Sequence, residues 1–114
     1  MKKIRLIINN DNKKNKEKFF IKKELQCILN LYAKMVSNGS WKDYSFTSDI
    51  KEVSFDVYQR TSDKPILRIL KNLKPKYFNE KYLIKDKNGA ILKKSENLNQ
   101  LISKTSWNKL KLVK

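Results

Sequence analysis

Residues 52–60, which read EVSFDVYQR, decide the fold. Apolar and polar residues alternate through this stretch, and a period of two predicts a strand with one buried face. Residues 61–64, TSDK, predict a turn, after which Pro65 opens a second apolar run, ILRIL, at residues 66–70. Two such runs joined by a short polar turn predict an antiparallel hairpin.

A second hairpin is predicted at residues 81–93. Its strands are residues 81–85 (KYLIK) and 90–93 (AILK), and the Asn-Gly pair between them favours a turn with positive φ at its central positions. Amphipathic helices are predicted at residues 20–38 and after Ser95, which we expect to be the N-cap of the second helix. The predicted fold class is α+β: a four-stranded antiparallel sheet of two hairpins, packed by an N-terminal and a C-terminal amphipathic helix.

The first predicted helix has two apolar edges. Its main stripe has helical spacing and is expected to face the sheet; it comprises Ile21, Leu25, Ile28, Leu29, Tyr32 and Val36. Cys27, Leu31 and Met35 form a smaller edge away from that stripe. Either a small domain wraps the helix on two sides, or this smaller edge contacts a protein partner or a second copy. These three residues are therefore the candidate protein interface.

The length predicts one domain, because 114 residues supply enough apolar surface for one core and too little for two. The predicted organisation is a basic polar arm at residues 1–19, an α+β domain at residues 20–104 and a basic tail at residues 105–114. Residues 3–8 (KIRLII) predict a short strand within the arm.

The sequence predicts a cytoplasmic protein. No run of about 18 apolar residues is present, so we expect no membrane span and no membrane partner. The first residues, MKKIRLIINND, lack the small-residue cleavage site of a signal peptide. Cys27 is the one cysteine of the chain and cannot form an internal disulfide, which is typical of a reducing compartment.

The chain is strongly basic, with 27 lysines and arginines against 11 acidic residues and a net charge of +16. Of these basic residues 24 are lysine, a residue that AT-rich codons also favour, so a compositional background and a charged partner both remain open explanations. The charge is uneven along the chain. Nine basic and three acidic residues give +6 at residues 1–24, seven and five give +2 at residues 25–72, and eleven and three give +8 at residues 73–114.

The composition excludes several kinds of catalytic and metal site. The chain has no histidine, one cysteine and two glycines. These counts exclude Ser-His-Asp and Cys-His catalysis, imidazole-metal sites, cysteine zinc sites and Gly-rich phosphate loops. The acidic residues in the middle of the chain lack the spacing of a calcium-binding loop. We therefore expect no enzyme, no cofactor and no metal.

Five residues in the near-neutral middle are candidate binding residues: Trp41, Asp43, Tyr44, Arg60 and Arg68. Two large aromatic side chains directly after the helix stop form either a plug at the end of the core or a ligand surface. Arginine in a chain rich in lysine suggests a bidentate geometry, either with an aspartate or with an external anion.

Residues 71–87 interleave lysines with aromatic rings. Bases stack on rings while lysines follow the phosphate backbone, so this pattern predicts a surface for single-stranded nucleic acid. Tyr82 alternates with core positions and is expected to point inward. The candidate nucleic-acid surface comprises Lys74, Lys76, Tyr77, Lys81, Lys85 and Lys87.

Between Phe20 and about Ile102 the chain contains Glu24-Leu25, Ile28-Leu29-x-Leu31-Tyr32-x-x-Met35-Val36, Gly39-x-Trp41-x-Asp43-Tyr44, Phe55-x-Val57-Tyr58-x-Arg60-Thr61-Ser62-x-x-Pro65, Arg68-Ile69, Gly89 and Leu92-Lys93. In these residues it resembles an alphaproteobacterial family named domain of unknown function 2794. The family glycine expected after Tyr32 is replaced by Ala33, which a helix accepts. The resemblance implies a bacterial cytoplasmic protein and carries over no catalytic residue, because the family has no assigned activity.

These observations predict a small basic cytoplasmic binding module. The predicted partner is another protein or a second copy of the chain. The alternative is non-specific binding of RNA or single-stranded DNA through the basic ends.

Overall fold

The structure is a computed structural model that describes residues 18–60 and 64–107. The predicted strand at residues 3–8, most of the arm, residues 61–63 of the predicted turn and residues 108–114 of the tail lie outside the described residues. The described elements are helix α1 (Lys22–Ser37), strands β1 (Asp43–Ser48), β2 (Glu52–Tyr58) and β3 (Leu67–Asn72), a 3-10 helix (Phe78–Glu80), strands β4 (Tyr82–Asp86) and β5 (Ile91–Ser95), and helix α2 (Leu98–Ser103).

The fold class is α+β, as predicted, but the described strands form a sheet of five rather than four, in the order β1-β2-β3-β4-β5. Every neighbouring pair is antiparallel, and both predicted hairpins are present as β2–β3 and β4–β5. The prediction missed β1 because its sequence, DYSFTS, is mostly polar. Tyr44 lies opposite Val57 and Phe46 opposite Phe55, so two rings on one face are sufficient to join an edge strand to the core.

Helix α1 is rotated relative to its predicted orientation. Leu31 and Met35 are 5% and 2% exposed and belong to the core, so the prediction that they form an exposed protein interface is wrong. Several residues of the predicted stripe are exposed instead: Ile21, Leu29 and Val36. The buried residues of α1 are Glu24, Ile28, Leu31 and Met35, a regular helical stripe that begins with a charged side chain. The predicted stripe is thus correct for Ile28, which is buried, and in part for Leu25 and Tyr32, which pack against the core, and wrong for the three exposed residues.

Helix α2 starts two residues later than predicted. Asn97 is its N-cap, and its side-chain oxygen accepts a hydrogen bond from the Gln100 amide at 3.0 Å. Ser95 is the last residue of β5, and its hydroxyl accepts a hydrogen bond from the Asn97 amide at 3.0 Å. The prediction that Ser95 is the N-cap of α2 is therefore wrong, because strand β5 continues through that position.

The core lies between the sheet and the two helices. The buried side chains of β2 on this face, Val53, Phe55 and Val57, belong to one apolar cluster with Ile28 of α1 and residues of α2. The turn between β4 and β5 has positive φ at Gly89, at 87°, and at no other residue of that turn. Asp86 Oδ1 accepts hydrogen bonds from two amides of this turn and holds it closed.

Candidate nucleic-acid interface

Two aromatic rings protrude from the connection between β3 and β4, residues 73–81. Tyr77 is 60% exposed and Phe78 is 78% exposed, the highest exposure among the large hydrophobic side chains of the described residues. Lys74 and Lys76 precede them and are also exposed. Rings of this size normally bury most of their surface. An adjacent exposed pair flanked by lysines therefore indicates a contact surface.

The connection is anchored at both ends, which holds the rings away from the core. The Asn72 amide donates to the Lys81 carbonyl at 2.7 Å, and the Asn72 side chain donates to the Glu80 carbonyl at 3.4 Å. The Leu73 amide donates to the Lys51 carbonyl at 2.8 Å, so the connection is tied to the turn between β1 and β2. The same end of the sheet therefore carries the connection and the exposed Ile50 of that turn.

The predicted nucleic-acid residues divide into two groups along β4. Lys81 lies in the connection with Lys74, Lys76 and Tyr77, and its ammonium group is 5.5 Å from the centroid of the Tyr82 ring. Lys85 lies near the opposite end of β4, where it pairs in register with Arg68. Lys87 follows in the turn between β4 and β5. The structure thus brings together four of the six predicted residues at the connection.

Two residues of this surface were absent from the predicted set. Phe78 is the more exposed of the two rings and begins the 3-10 helix. Lys94 of β5 lies 3.7 Å from the Glu80 carboxylate, so the adjacent edge strand adds a basic group beside the connection. The signal for Phe78 was present in the sequence as a second ring next to Tyr77, whereas Lys94 is brought close only by strand pairing.

Trp41 and Tyr44 pack against other aromatic rings at the end of the core, which is the first of the two alternatives that the sequence left open. Trp41 is buried and meets the Trp107 ring edge-on, with centroids 5.8 Å apart. Tyr44 is half-exposed, and its ring lies 4.8 Å from that of Tyr32. The Asp43 carboxylate accepts a hydrogen bond from the Tyr44 amide at 2.8 Å. These residues close one end of the core.

Arg68 pairs with an aspartate, as one alternative predicted, but through one nitrogen and not in the predicted bidentate geometry. Its Nε donates to Asp56 Oδ1 at 3.0 Å and its Nη2 to Ser54 Oγ at 3.2 Å, while Asp56, itself buried, also accepts from Ser54 and Thr47. Arg60 is exposed and has no ion pair with another described residue. Arg68 is therefore engaged inside the protein, whereas both alternatives stay predictions for Arg60.

A buried polar network, which the sequence analysis did not predict, joins α1 to the sheet. Lys71 is 1% exposed, and its ammonium group donates to Glu24 Oε1 at 2.9 Å and to the Phe19 carbonyl at 3.0 Å. The buried Tyr82 hydroxyl donates to the other oxygen of Glu24, and the Ile21 amide donates to Oε1 at 2.8 Å. Glu24 thus caps the helix and anchors it to two strands. Its helical spacing from Ile28 was the available sequence signal.

A cleft of about 220 Å³ lies next to this network, between the starts of the two helices. Its lining includes Glu24, Cys27, Tyr82, Glu96 and Asn99. The Cys27 thiol donates to Asn99 Oδ1 at 3.1 Å, and burial raises the pKa of the Cys27 thiol. A thiol that stays protonated is a poor nucleophile. Cys27 is therefore not an activated nucleophile.

Cys27 is expected to react slowly with 5,5′-dithiobis(2-nitrobenzoate) at pH 8. Its raised pKa leaves less thiolate than a free cysteine has at that pH. The rate is expected to rise with pH and to reach the free-thiol value in urea. Reaction in buffer at the rate of free cysteine would contradict the raised pKa.

Neither metal-binding groups nor membrane-spanning segments were found in the described part of the chain. Residues 18–60 and 64–107 contain no group of three or more cysteine, aspartate and glutamate side chains arranged to hold a metal ion. Neither described helix is long and apolar enough to cross a membrane.

Comparison with known proteins places the chain in a family. The model of the family described as protein of unknown function DUF2794 matches residues 18–102, about three-quarters of the chain. No curated protein and no solved structure matches the chain significantly. The matched range includes the sheet, helix α1 and the connection with its two exposed rings. The chain belongs to the DUF2794 family.

Proposed function

We propose that this member of the DUF2794 family binds RNA or single-stranded DNA without sequence preference. The proposal depends on one observation, the exposed pair Tyr77 and Phe78 with exposed Lys74 and Lys76 before it and half-buried Lys81 after it. Unpaired bases present flat faces that stack on such rings, and the sugar-phosphate backbone supplies the negative charge that lysines bind. The cytoplasmic location expected from the sequence is part of the same proposal.

The arrangement of charge supports a phosphate-binding role for the connection. Lys74, Lys76 and Lys81 accompany the two rings, whereas Glu80 is the one acidic residue of residues 73–81. Glu80 lies beside Lys94, so its charge is balanced locally. A single strand that stacks on both rings therefore meets basic groups on either side of them. Lysine supplies charge without the bidentate geometry that reads individual bases, which favours non-specific binding.

The structure weakens the alternative of a protein interface at the smaller apolar edge of α1. Leu31 and Met35, two of its three residues, are buried in the core of the same chain. Cys27 alone is half-exposed, at the edge of the cleft. A partner therefore finds no continuous apolar surface at these positions. Of the two predicted functions, nucleic-acid binding retains an exposed surface of the right composition.

Fluorescence anisotropy with a labelled oligouridine of about 15 nucleotides tests this proposal. Small domains that bind single strands, such as OB folds, cover about 4–16 nucleotides each. We expect binding at low ionic strength. A plot of the logarithm of the binding constant against the logarithm of the salt concentration is expected to have a slope of about −2, because each phosphate contact with a single strand contributes about −0.7 and about three lysines make such contacts. The variant Lys74→Ala/Lys76→Ala is expected to bind about 5- to 20-fold more weakly.

The matched control removes two lysines elsewhere. Lys34 and Lys42 are exposed on the helix and before β1, so Lys34→Ala/Lys42→Ala lowers the net charge by the same amount. We expect this control to bind within about twofold of the unmodified protein, because lysines outside the contact surface release no counterions. Equal losses in both double variants would show that net charge, and not the connection, determines binding.

Anionic vesicles provide a second control, because exposed rings and lysines also suit a membrane surface. Vesicles of phosphatidylserine and phosphatidylcholine are titrated with the same protein. Binding to vesicles with no binding to oligouridine would overturn the proposal.

A further inference from the structure

The two edge strands of the sheet differ in their protection against pairing. β5 carries Lys93 and Lys94, and its pairing with β4 contains a register shift. Lysines and bulges are features by which edge strands avoid pairing with other chains. Strand β1 pairs in continuous register with β2 and contains no lysine in residues 43–48, although lysine is the commonest charged residue of the chain. β1 is therefore the less protected edge.

The backbone of β1 has hydrogen-bonding groups on its outer side. At the turn, the Asp49 amide donates to the Glu52 carbonyl at 3.0 Å, which shows that Asp49 directs its backbone groups toward β2. Successive residues of an antiparallel strand direct these groups to opposite sides. The amides and carbonyls of Tyr44, Phe46 and Ser48 thus point away from β2.

The outer groups of β1 are not equally available. The Tyr44 amide is occupied by the Asp43 carboxylate at 2.8 Å. Among the described residues, β1 is paired with β2 alone, and no bond to the outer amides of Phe46 and Ser48 was found. The second half of the strand is therefore the part open to a further strand.

We propose that a second copy of this chain pairs with β1 in antiparallel orientation about a two-fold axis at Thr47. In this register Phe46 of one copy exchanges backbone hydrogen bonds with Ser48 of the other, and the two Thr47 side chains lie opposite each other. An interface between identical patches related by a two-fold axis is the commonest form of homodimer. The sheet then continues from one copy into the other.

Charge favours β1 over β5 for this self-pairing. Around Thr47 the strand presents serine, threonine and phenylalanine, so no like charges meet across the axis. The same symmetry applied to β5 places lysine of one copy beside lysine of the other, which opposes pairing. The net charge of +16 on each copy still repels the other copy at long range. Dimer formation is therefore expected to strengthen with salt, the opposite of nucleic-acid binding.

Sedimentation-velocity ultracentrifugation tests the proposal over about 5–500 µM protein, because a dimer forms by mass action. The measured mass is expected to rise from 13.6 kDa toward twice that value, and to do so at lower concentration in about 0.5 M salt than in about 0.15 M salt. A mass that stays at 13.6 kDa across the whole range would overturn the proposal.

Proline variants locate the interface. Ser48→Pro removes an amide that points away from β2, a position that an edge strand tolerates, and by symmetry it removes that bond from both copies. We expect the dimer dissociation constant to rise at least about tenfold. Lys94→Pro makes the matched change on β5 and is expected to leave this constant within about twofold. The reverse order of effects would place the interface on β5 and overturn the proposal.

If Ser48→Pro fails to fold, hydrogen exchange of the unmodified protein tests the pairing through β1. The amides of Phe46 and Ser48 are expected to gain protection as the protein concentration rises. Protection independent of concentration would contradict pairing through β1.

Discussion

Replacement of Lys71 by methionine is expected to lower the free energy of unfolding by about 3–5 kcal/mol, the cost of leaving a buried charge without its partner. Lys71 is 1% exposed and lies 2.9 Å from Glu24, which is itself buried. Methionine keeps the side-chain volume but removes the ammonium group. Urea denaturation followed by tryptophan fluorescence measures the loss, since Trp41 is buried in the same core.

A second substitution separates loss of the charge pair from loss of packing. Glu24→Gln/Lys71→Met removes both charges while glutamine still accepts at the helix start. We expect the double variant to be more stable than Lys71→Met, because no uncompensated charge is then buried. A double variant as unstable as Lys71→Met would show that packing around residue 71, and not the charge pair, dominates.

Replacement of both exposed rings, Tyr77→Ala/Phe78→Ala, is expected to weaken oligouridine binding at least about 30-fold at constant salt, since two stacked bases at about 1–3 kcal/mol each contribute at least about 2 kcal/mol. Both rings lie largely in solvent, so their removal is expected to change the free energy of unfolding by less than about 0.5 kcal/mol. Anisotropy with the labelled strand, together with urea denaturation, measures the two effects on the same protein.

The salt dependence of oligouridine binding distinguishes the contribution of the rings from that of the lysines. Removal of the rings is expected to weaken binding without changing the salt slope, because stacking releases no counterions. Ile50→Ala is the matched control, because Ile50 is equally exposed at the same end of the sheet but has no face on which a base stacks. An equal loss for Ile50→Ala would indicate a general apolar contact instead of stacking.

The two hairpins were predictable from the sequence because their signals are local: alternation in residues 52–60 for the first, and the Asn-Gly turn for the second. In β2, the side chains Val53, Phe55 and Val57 of one face are apolar at every second position, a pattern typical of a strand. β1 was not predictable in this way, because an edge strand needs only one half-covered face and its polar residues resemble a loop. Its place in the sheet depends on pairing with β2, a contact that the chain makes over a short turn.

The rotation of α1 was missed for a different reason. The pattern of apolar residues assigns charged side chains to solvent, whereas Glu24 is buried by its contacts with Lys71 and Tyr82. Lys71 in turn follows Leu67 and Ile69 at alternate positions of β3, so its inward direction was readable from the strand period. The pairing of Glu24 with Lys71 was not predictable from the sequence, because the two charges lie far apart in the chain and meet only after folding.

The candidate surface was partly predictable because it depends on composition in a loop. Lys74, Lys76 and Tyr77 were identified from their interleaving, and the structure places them at the exposed connection. Exposure itself was not predictable, since the sequence left both alternatives open for Trp41, which is buried in the core. Anchoring by Asn72 distinguishes the two cases, because it holds the connection outside the sheet.

Nuclear magnetic resonance mapping of the nitrogen-15-labelled protein with unlabelled oligouridine tests the central claim most directly. The proposal predicts that the largest amide shift changes fall on residues 73–81 and on the neighbouring Lys94, with small changes at the cleft beside Cys27. Saturating oligouridine that leaves residues 73–81 unshifted, or that shifts the cleft instead, would contradict the assignment of this connection as the nucleic-acid interface.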